Sequence, residues 1–234
     1  MTAPILITGV GKRVGFYLAQ HLAQQGQRVI GTYRRQYPQL QQLDALGVEL
    51  HQCDFNHASQ LNELLTTLKQ QPAIRAVIHN ASDWLPDGDA DTAIAIIDKM
   101  MRIHVSIPYA INLALTEQLK ANNSMADIIH ITDYVAEKGS KKHAAYAASK
   151  AALHNLTLSF AAKLAPKVKV NSIAPALLMF NPDDDEQYQQ KALKKALIAK
   201  EGGEVEILNA VNYLLQSQYV TGQTLKIDGG RHLV

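Results

Sequence analysis

Tyr146 and Lys150 stand four residues apart, a spacing that makes two side chains neighbours on one helical face. A free tyrosine, with a pKa of about 10, exchanges protons poorly near neutrality. An adjacent ammonium is expected to favour the phenolate and lower that value, and the lysine can also hold a ribose hydroxyl. Spacing alone is weak evidence, because nine tyrosines and sixteen lysines in 234 residues give about 0.6 such pairs by chance. Tyr134 and Lys138 form a second pair, but it falls just before Gly139-Ser140, where no helix is expected to hold it. Tyr146 instead opens an Ala-rich helix anchored by an apolar stripe of Leu153, Leu156, Phe160 and Leu164.

Other residues suit a dinucleotide. Gly9-Val10-Gly11-Lys12-Arg13-Val14-Gly15 joins an apolar strand to a helix, so its glycines can turn tightly and aim helix-start N–H groups at a phosphate. Arg13 then faces the cleft, or is a solvated helix arginine. The second strand ends in Tyr33-Arg34-Arg35 with no acid beside it in sequence, where a carboxylate would bind a ribose 2′-OH. Two guanidiniums suit a 2′-phosphate, so NADPH is expected over NADH, unless the pair is a solvated basic loop. Asp54 follows the third strand and either accepts from the adenine amino group or caps a helix. Asn80-Ala81-Ser82 ends the fourth, with side chains small enough for a cofactor to lie against the backbone.

The elements that must position these groups alternate. Strands are predicted at 4–8, 28–33, 48–52, 74–79, 127–132, 167–173 and 225–228. Helices are predicted over 13–25, 58–71, 94–119 (one long stretch containing Pro108) and 144–165. Pro175–Asp185 is the longest irregular segment, with Asp183-Asp184-Asp185 placed to cap a following helix; residues 175–200 are expected to form the substrate loop. This is an α/β pattern: a doubly wound, mostly parallel seven-stranded sheet with helices on both faces, read as one domain over 1–234. Ligands in such sheets bind beyond the carboxyl ends of the strands, where the candidates lie.

Composition narrows the classes. Of the 234 residues 47% are hydrophobic and 19% charged, enough for a core and against disorder. A net charge of +2 gives no reason to expect nucleic acid or an anionic membrane as partner. Cys53 is the single cysteine, which excludes an internal disulfide framework and fits a reducing cytoplasm. No apolar run reaches the roughly 18 residues of a membrane span, and the N-terminal stretch reads as a first strand, not a signal peptide. His79, His130 and His143 lack metal-ligand spacing, so no metal is expected.

In order along the chain, Thr8-Gly9-x5-Gly15, Asn80-Ala81, Tyr146-x3-Lys150, Asn171-x3-Pro175 and Asp228-Gly229-Gly230 resemble the short-chain dehydrogenase/reductase family over nearly its whole length. The resemblance implies a Rossmann-type fold, catalysis by Tyr146 and Lys150, which also touch the cofactor, and Pro175 in the cofactor site. It also implies a homotetramer assembled partly through the helices around 94–119 and 144–165. Among the departures from the family pattern, Asp133 stands where a serine is usual, 13 residues before the tyrosine, His104 where a mid-helix asparagine is usual, and Arg13 where a glycine is commoner. His104 is then a relay substitute or a satisfied core histidine.

Arg13, Asp133 and Trp84 resemble the pteridine-reducing members. His104-x3-Pro108, Thr132-Asp133-Tyr134, the run 146–153 and the ending Asp228-Gly-Gly-Arg-His232 resemble a bacterial branch acting on dihydromonapterin and dihydrofolate. That implies NADPH-dependent reduction of a 7,8-dihydropterin to its tetrahydro form. A carboxyl at Asp133 can bind the pterin and take part in protonating N5, directly or through Tyr146; a strand-end turn aspartate is the other reading. Trp84 either stacks on the flat ring or packs over the sheet end. Arg13 would lie between pyrophosphate and the polar edge of the pterin. A carbonyl reductase would be expected to keep the serine, and a non-catalytic NADPH-binding sensor would not need Tyr146 and Lys150.

Overall fold

In the computed structural model, which describes residues 2–234, seven strands form one sheet in the order β3-β2-β1-β4-β5-β6-β7, every neighbouring pair parallel. Met1, part of the sequence reading of the N-terminus, lies outside the described residues. The strands are β1 Ile5–Ile7, β2 Val29–Tyr33, β3 Glu49–Gln52, β4 Ala76–His79, β5 Ala126–Ile131, β6 Val168–Pro175 and β7 Thr224–Ile227. All seven expected strands are present, and the sheet is Rossmann-type.

Alternation along the central strands sorts their side chains between two layers. Ile5 and Ile7 of β1, with Ala76 and Ile78 of β4, face α1 (Arg13–Gln24), α2 (Leu40–Ala45) and α10 (Glu204–Gln216), meeting Leu18, Leu22, Leu43, Val211 and Leu214. Leu6, Val77, Ile128 and Val170 face the other way, onto α3 (Ala58–Lys69), α5 (Ile107–Ala114) and α8 (Ala144–Leu164). Because β2 and β3 lie on one side of β1 and β4 to β7 on the other, the chain leaves these central strands in opposite directions. A crevice therefore opens at their carboxyl ends.

The long helix expected over 94–119 is interrupted. It runs as α4 (Ala93–Met101), a π-helical stretch Arg102–Ser106, α5, and α6 (Thr116–Lys120). Pro108 is the reason: it has no N–H to return to the His104 carbonyl, so the ladder shifts register just before it. Two short helices, α2 and α7 (Val135–Lys138), were not expected from the sequence, nor was α10, although its Ile207, Leu208, Val211 and Leu214 carry a helical period. The helix after Asp185 is α9 (Glu186–Leu193), and the Asp185 carboxylate accepts from the Tyr188 N–H at 2.7 Å. No helix is long and apolar enough to cross a membrane among the described residues.

Candidate active site

The glycine turn between β1 and α1 is locked from β4. Asn80 Nδ2 donates to the carbonyls of Thr8 and Gly9, each at 3.0 Å, while Thr8 Oγ1 accepts from the Asn80 and Ala81 N–H groups at 3.0 Å. The packing leaves no room for a methyl: a Cβ on Gly15 would sit 2.1 Å from the Gly9 carbonyl oxygen, and one on Gly9, at φ 76°, 2.9 Å from Ala81 Cα. Asn80 and Ala81 therefore shape the turn as well as bordering the cleft. The α1 N-cap, Lys12, supplies no side-chain cap, which leaves the first-turn N–H groups free for an anion.

Beyond this turn lies a cavity of about 130 Å³ whose lining includes Gly9, Lys12, Tyr33, Arg34, Arg35, Asp54, Ala81 and Ser82 from the expected set. Lys99 and Tyr37 also line it: Lys99 comes from α4, distant in the chain, whereas Tyr37 follows the Arg34-Arg35 pair by two residues. No acid neighbours Arg34 in sequence, yet tertiary structure supplies one. Arg34 Nη1 meets Asp83 Oδ2 at 3.2 Å, and Lys99 Nζ meets the same oxygen at 3.3 Å. Burial works against the ionised Asp83, but these two cations hold its carboxyl below the ordinary range. Asp54 is not a helix cap: its Oδ1 accepts from the N–H and side chain of Asn56, and the α3 N-cap is His57. A close-packed glycine turn, free helix-start amides and a wall holding Lys12, Arg34, Arg35 and Lys99 fit an anionic dinucleotide.

At the other end, Tyr146 Oη donates to Asp133 Oδ2 at 2.8 Å. Asp133 Oδ1 accepts from the Val135 N–H at 3.0 Å, so the same carboxyl organises the strand-end turn and holds the tyrosine. Lys150 Nζ donates to the Ile131 carbonyl at 2.9 Å and lies 5.6 Å from the Tyr146 ring centre. Burial draws its pKa down to about 8. The expected lowering of Tyr146 is not what this geometry produces. Burial, then the charge and hydrogen bond of Asp133, hold the phenol well above its ordinary value, so Tyr146 stays protonated. Burial likewise raises Asp133 above the usual carboxylate range.

His104 is fully engaged. Its Nε2 bonds Ser82 Oγ at 2.7 Å and its Nδ1 bonds Ser149 Oγ at 2.8 Å, while its ring stands edge-on to Tyr146. Burial, with Lys150 nearby, lowers its pKa to about 2, making it a neutral, satisfied core histidine that braces the catalytic face. Ser149 completes this brace by donating to the Tyr146 carbonyl at 2.7 Å.

Arg13, at φ 53°, reaches away from the turn to Asn181 Oδ1 at 2.7 Å and the Met179 carbonyl at 3.3 Å, tying down the segment after β6. Val14 follows it in the first turn of α1. Trp84 is 60% exposed and lies against His143, ring centres 4.1 Å apart, so it is not sheet-end packing. Pro175 closes β6, its carbonyl accepting from the Tyr134 N–H at 3.0 Å. Tyr134 does precede a short helix, α7, but it faces Arg231, whose guanidinium lies 4.6 Å from its ring centre; Lys138 bonds the carbonyl of Val234. His79 and His130 form a buried chain through Asn112 to Thr157, and among the described residues no three His, Cys, Asp or Glu gather as a metal site.

Comparison with known proteins agrees with this fold. The chain is 50% identical over 232 residues to a dihydromonapterin reductase of Klebsiella pneumoniae, covering 98% of this chain and 97% of that protein. It is 49% identical, at the same coverage, to one from Escherichia coli. A crystal structure of alternative dihydrofolate reductase 1 from Brucella suis, in complex with NADP, superposes with a TM-score of 0.89 over 100% of this chain and 96% of that one, at 23% identity. Residues 9–232 match the family model described as enoyl-(acyl carrier protein) reductase. With that match and these relatives, the chain belongs to the short-chain dehydrogenase/reductase family, oxidoreductases that use a nicotinamide cofactor.

Proposed function

We propose that the protein reduces a 7,8-dihydropterin to its tetrahydro form with NADPH, in the cytoplasm. The observation that carries this reading is the 2.8 Å hydrogen bond between Tyr146 and Asp133, a protonatable pair where the family keeps a serine for carbonyl chemistry. The names of the relatives point the same way.

NADPH, when bound, supplies a hydride to C6 of the pterin. This chain's residues supply the rest. Arg34 and Arg35 receive the 2′-phosphate, Asp54 lies near the adenine, and Lys12, Val14 and the first turn of α1 receive the pyrophosphate. Asn80, Ala81, Ser82 and Pro175 wall the nicotinamide end, and Lys150 holds the ribose hydroxyls. Asp133, its pKa raised by burial, binds the pterin edge and delivers the proton for N5 through Tyr146. Trp84 covers the outer face of the ring, and Arg13 holds the substrate segment of residues 175–200 over it. The chain acts as a single domain, and four copies pack through the exposed faces of α5 and α8, where Tyr109, Leu113 and Leu158 lie.

Following NADPH absorbance with dihydromonapterin, dihydrofolate or a model 3-oxoacyl ester tests the reading. Oxidation with the pterins alone, lost in Tyr146→Phe, is expected. Turnover of the ester alone would replace it with carbonyl reduction, and no turnover at all with a non-catalytic sensor.

A further inference from the structure

Beside Tyr134, the residue after Asp133, lies a second cavity of about 820 Å³. Three separate stretches of chain bring cations to it: Lys138 and Lys141 after β5, Lys194 and Lys195 after α9, and Arg231 near the C-terminus. Lys138 is engaged by the carbonyl of Val234. Among the described residues, no carboxylate lies within 4.0 Å of Lys141, Lys194, Lys195 or Arg231. In a protein of net charge +2, four uncompensated cations on one concave surface are a local concentration that draws anions.

Arg231 is placed there by the Asp228-Gly229-Gly230 turn. The Asp228 carboxylate accepts from the N–H groups of Gly230 and His232, each at 3.0 Å, and from His232 Nδ1 at 2.6 Å. The arginine between them is thereby fixed over the Tyr134 ring. Its charge reaches Asp133, adding the weakest of several pulls that lower that carboxyl against the upward pull of burial.

We infer that this cavity takes the carboxylates of an extended substrate tail: a dihydropterin carrying a p-aminobenzoyl γ-glutamyl chain, bound more strongly with each added carboxylate. This rests on the pterin reading above and specifies the substrate for that site. A flat aromatic spacer leaving the pterin beside Asp133 passes Tyr134 first. The carboxylates beyond it then meet Lys141, Lys194, Lys195 and Arg231. A neutral polyol tail has no charge to offer these groups.

The test compares kcat/KM of the full chain with NADPH for dihydromonapterin, dihydrofolate and its γ-linked triglutamate. At low salt the triglutamate is expected to exceed the monoglutamate by about three- to tenfold, a gain that shrinks in about 0.5 M salt as the exposed charges are screened. The paired change Lys194→Glu and Lys195→Glu is expected to remove the gain, read as the ratio of tailed to untailed substrate. Lys141→Ala, on a different stretch of chain, is expected to lower the same ratio. Oxidation with dihydromonapterin but equal kcat/KM across tail lengths overturns the inference and leaves the pterin reading standing. No oxidation with any pterin overturns both. A changed oligomeric state in the lysine variants, with the ratio intact, would make the surface an assembly contact and also overturn it.

Discussion

Arg13 and Asn181 tie the start of α1 to the segment after β6: the guanidinium donates to Asn181 Oδ1 at 2.7 Å across 168 positions of sequence, from a backbone at φ 53°. A left-handed non-glycine residue costs about 1 kcal/mol or more, so this position retains strain that a glycine would relieve. Arg13→Gly is therefore expected to leave thermal stability equal or higher while raising KM for the dihydropterin about five- to tenfold, the value of about one lost hydrogen bond at an exposed site. An unchanged KM would mean that the tether does not shape the substrate site.

Asp133 and pH are linked through burial. Because its folded pKa lies above the ordinary value, the native state binds a proton that the unfolded chain has released. Stability from this group is thus present at low pH and falls as pH rises from the ordinary carboxylate value through the raised one. If the protonated carboxyl feeds N5, kcat should fall over the same window. Asp133→Asn is expected to cut kcat by about 10²–10⁴ and abolish that limb, as pH–rate profiles would record. Retention of the limb in the variant would assign it to another group.

Lys150 titrates at about 8 in the folded protein, so its charge is lost on the alkaline side of neutrality. Binding of ribose hydroxyls by an ammonium then weakens above that pH. Lys150→Arg, which stays charged, is expected to retain part of the activity and lose the alkaline limb, whereas Lys150→Met loses both. Initial rates between about pH 7 and pH 10 separate the cases.

Arg34 pairs with Asp83, which makes cofactor choice a competition. The double change Arg34→Asp with Arg35→Ala is expected to lower the preference for NADPH over NADH by about 10²-fold or more, since each charge-assisted bond is worth about 1.5–3 kcal/mol. Asp83→Asn should strengthen NADPH binding, by freeing Arg34. Titrating both nucleotides against tryptophan fluorescence measures both effects. Equal affinities before and after would sink the 2′-phosphate assignment.

Acid lability follows from the buried histidines. His79, at about 4, and His104, at about 2, are held below their ordinary values chiefly by burial, as is His130. The unfolded chain takes up protons that the native state refuses, so stability present above about pH 6.5 is lost as pH falls. The slope should approach about 1.4 kcal/mol per pH unit for each histidine between about pH 6 and pH 4. Denaturant unfolding at a series of pH values tests this, and a flat profile there would show that these groups titrate in the native state.

Alternation of short β-branched strands with amphipathic helices made the sheet readable, because periods of two and 3.6 residues are local properties of the chain. The same local logic marked the glycine turn and the pairing of Tyr146 with Lys150 on one helix. It failed where the deciding partner was distant. The break at Pro108 was visible as a residue but not as a π-helical stretch carrying His104, and no sequence pattern joins Asp83 to Arg34 or Arg13 to Asn181.

What the amino-acid order determined by itself was therefore the seven strands, most of the long helices, the parallel sheet and the chemical identity of the groups at its carboxyl edge. Tertiary structure alone decided their protonation. Taking Tyr146, Asp133, Lys150 and His104 out of water and setting them within hydrogen-bond reach of particular neighbours moves each pKa by desolvation and short-range charge, quantities that depend on three-dimensional distance and burial.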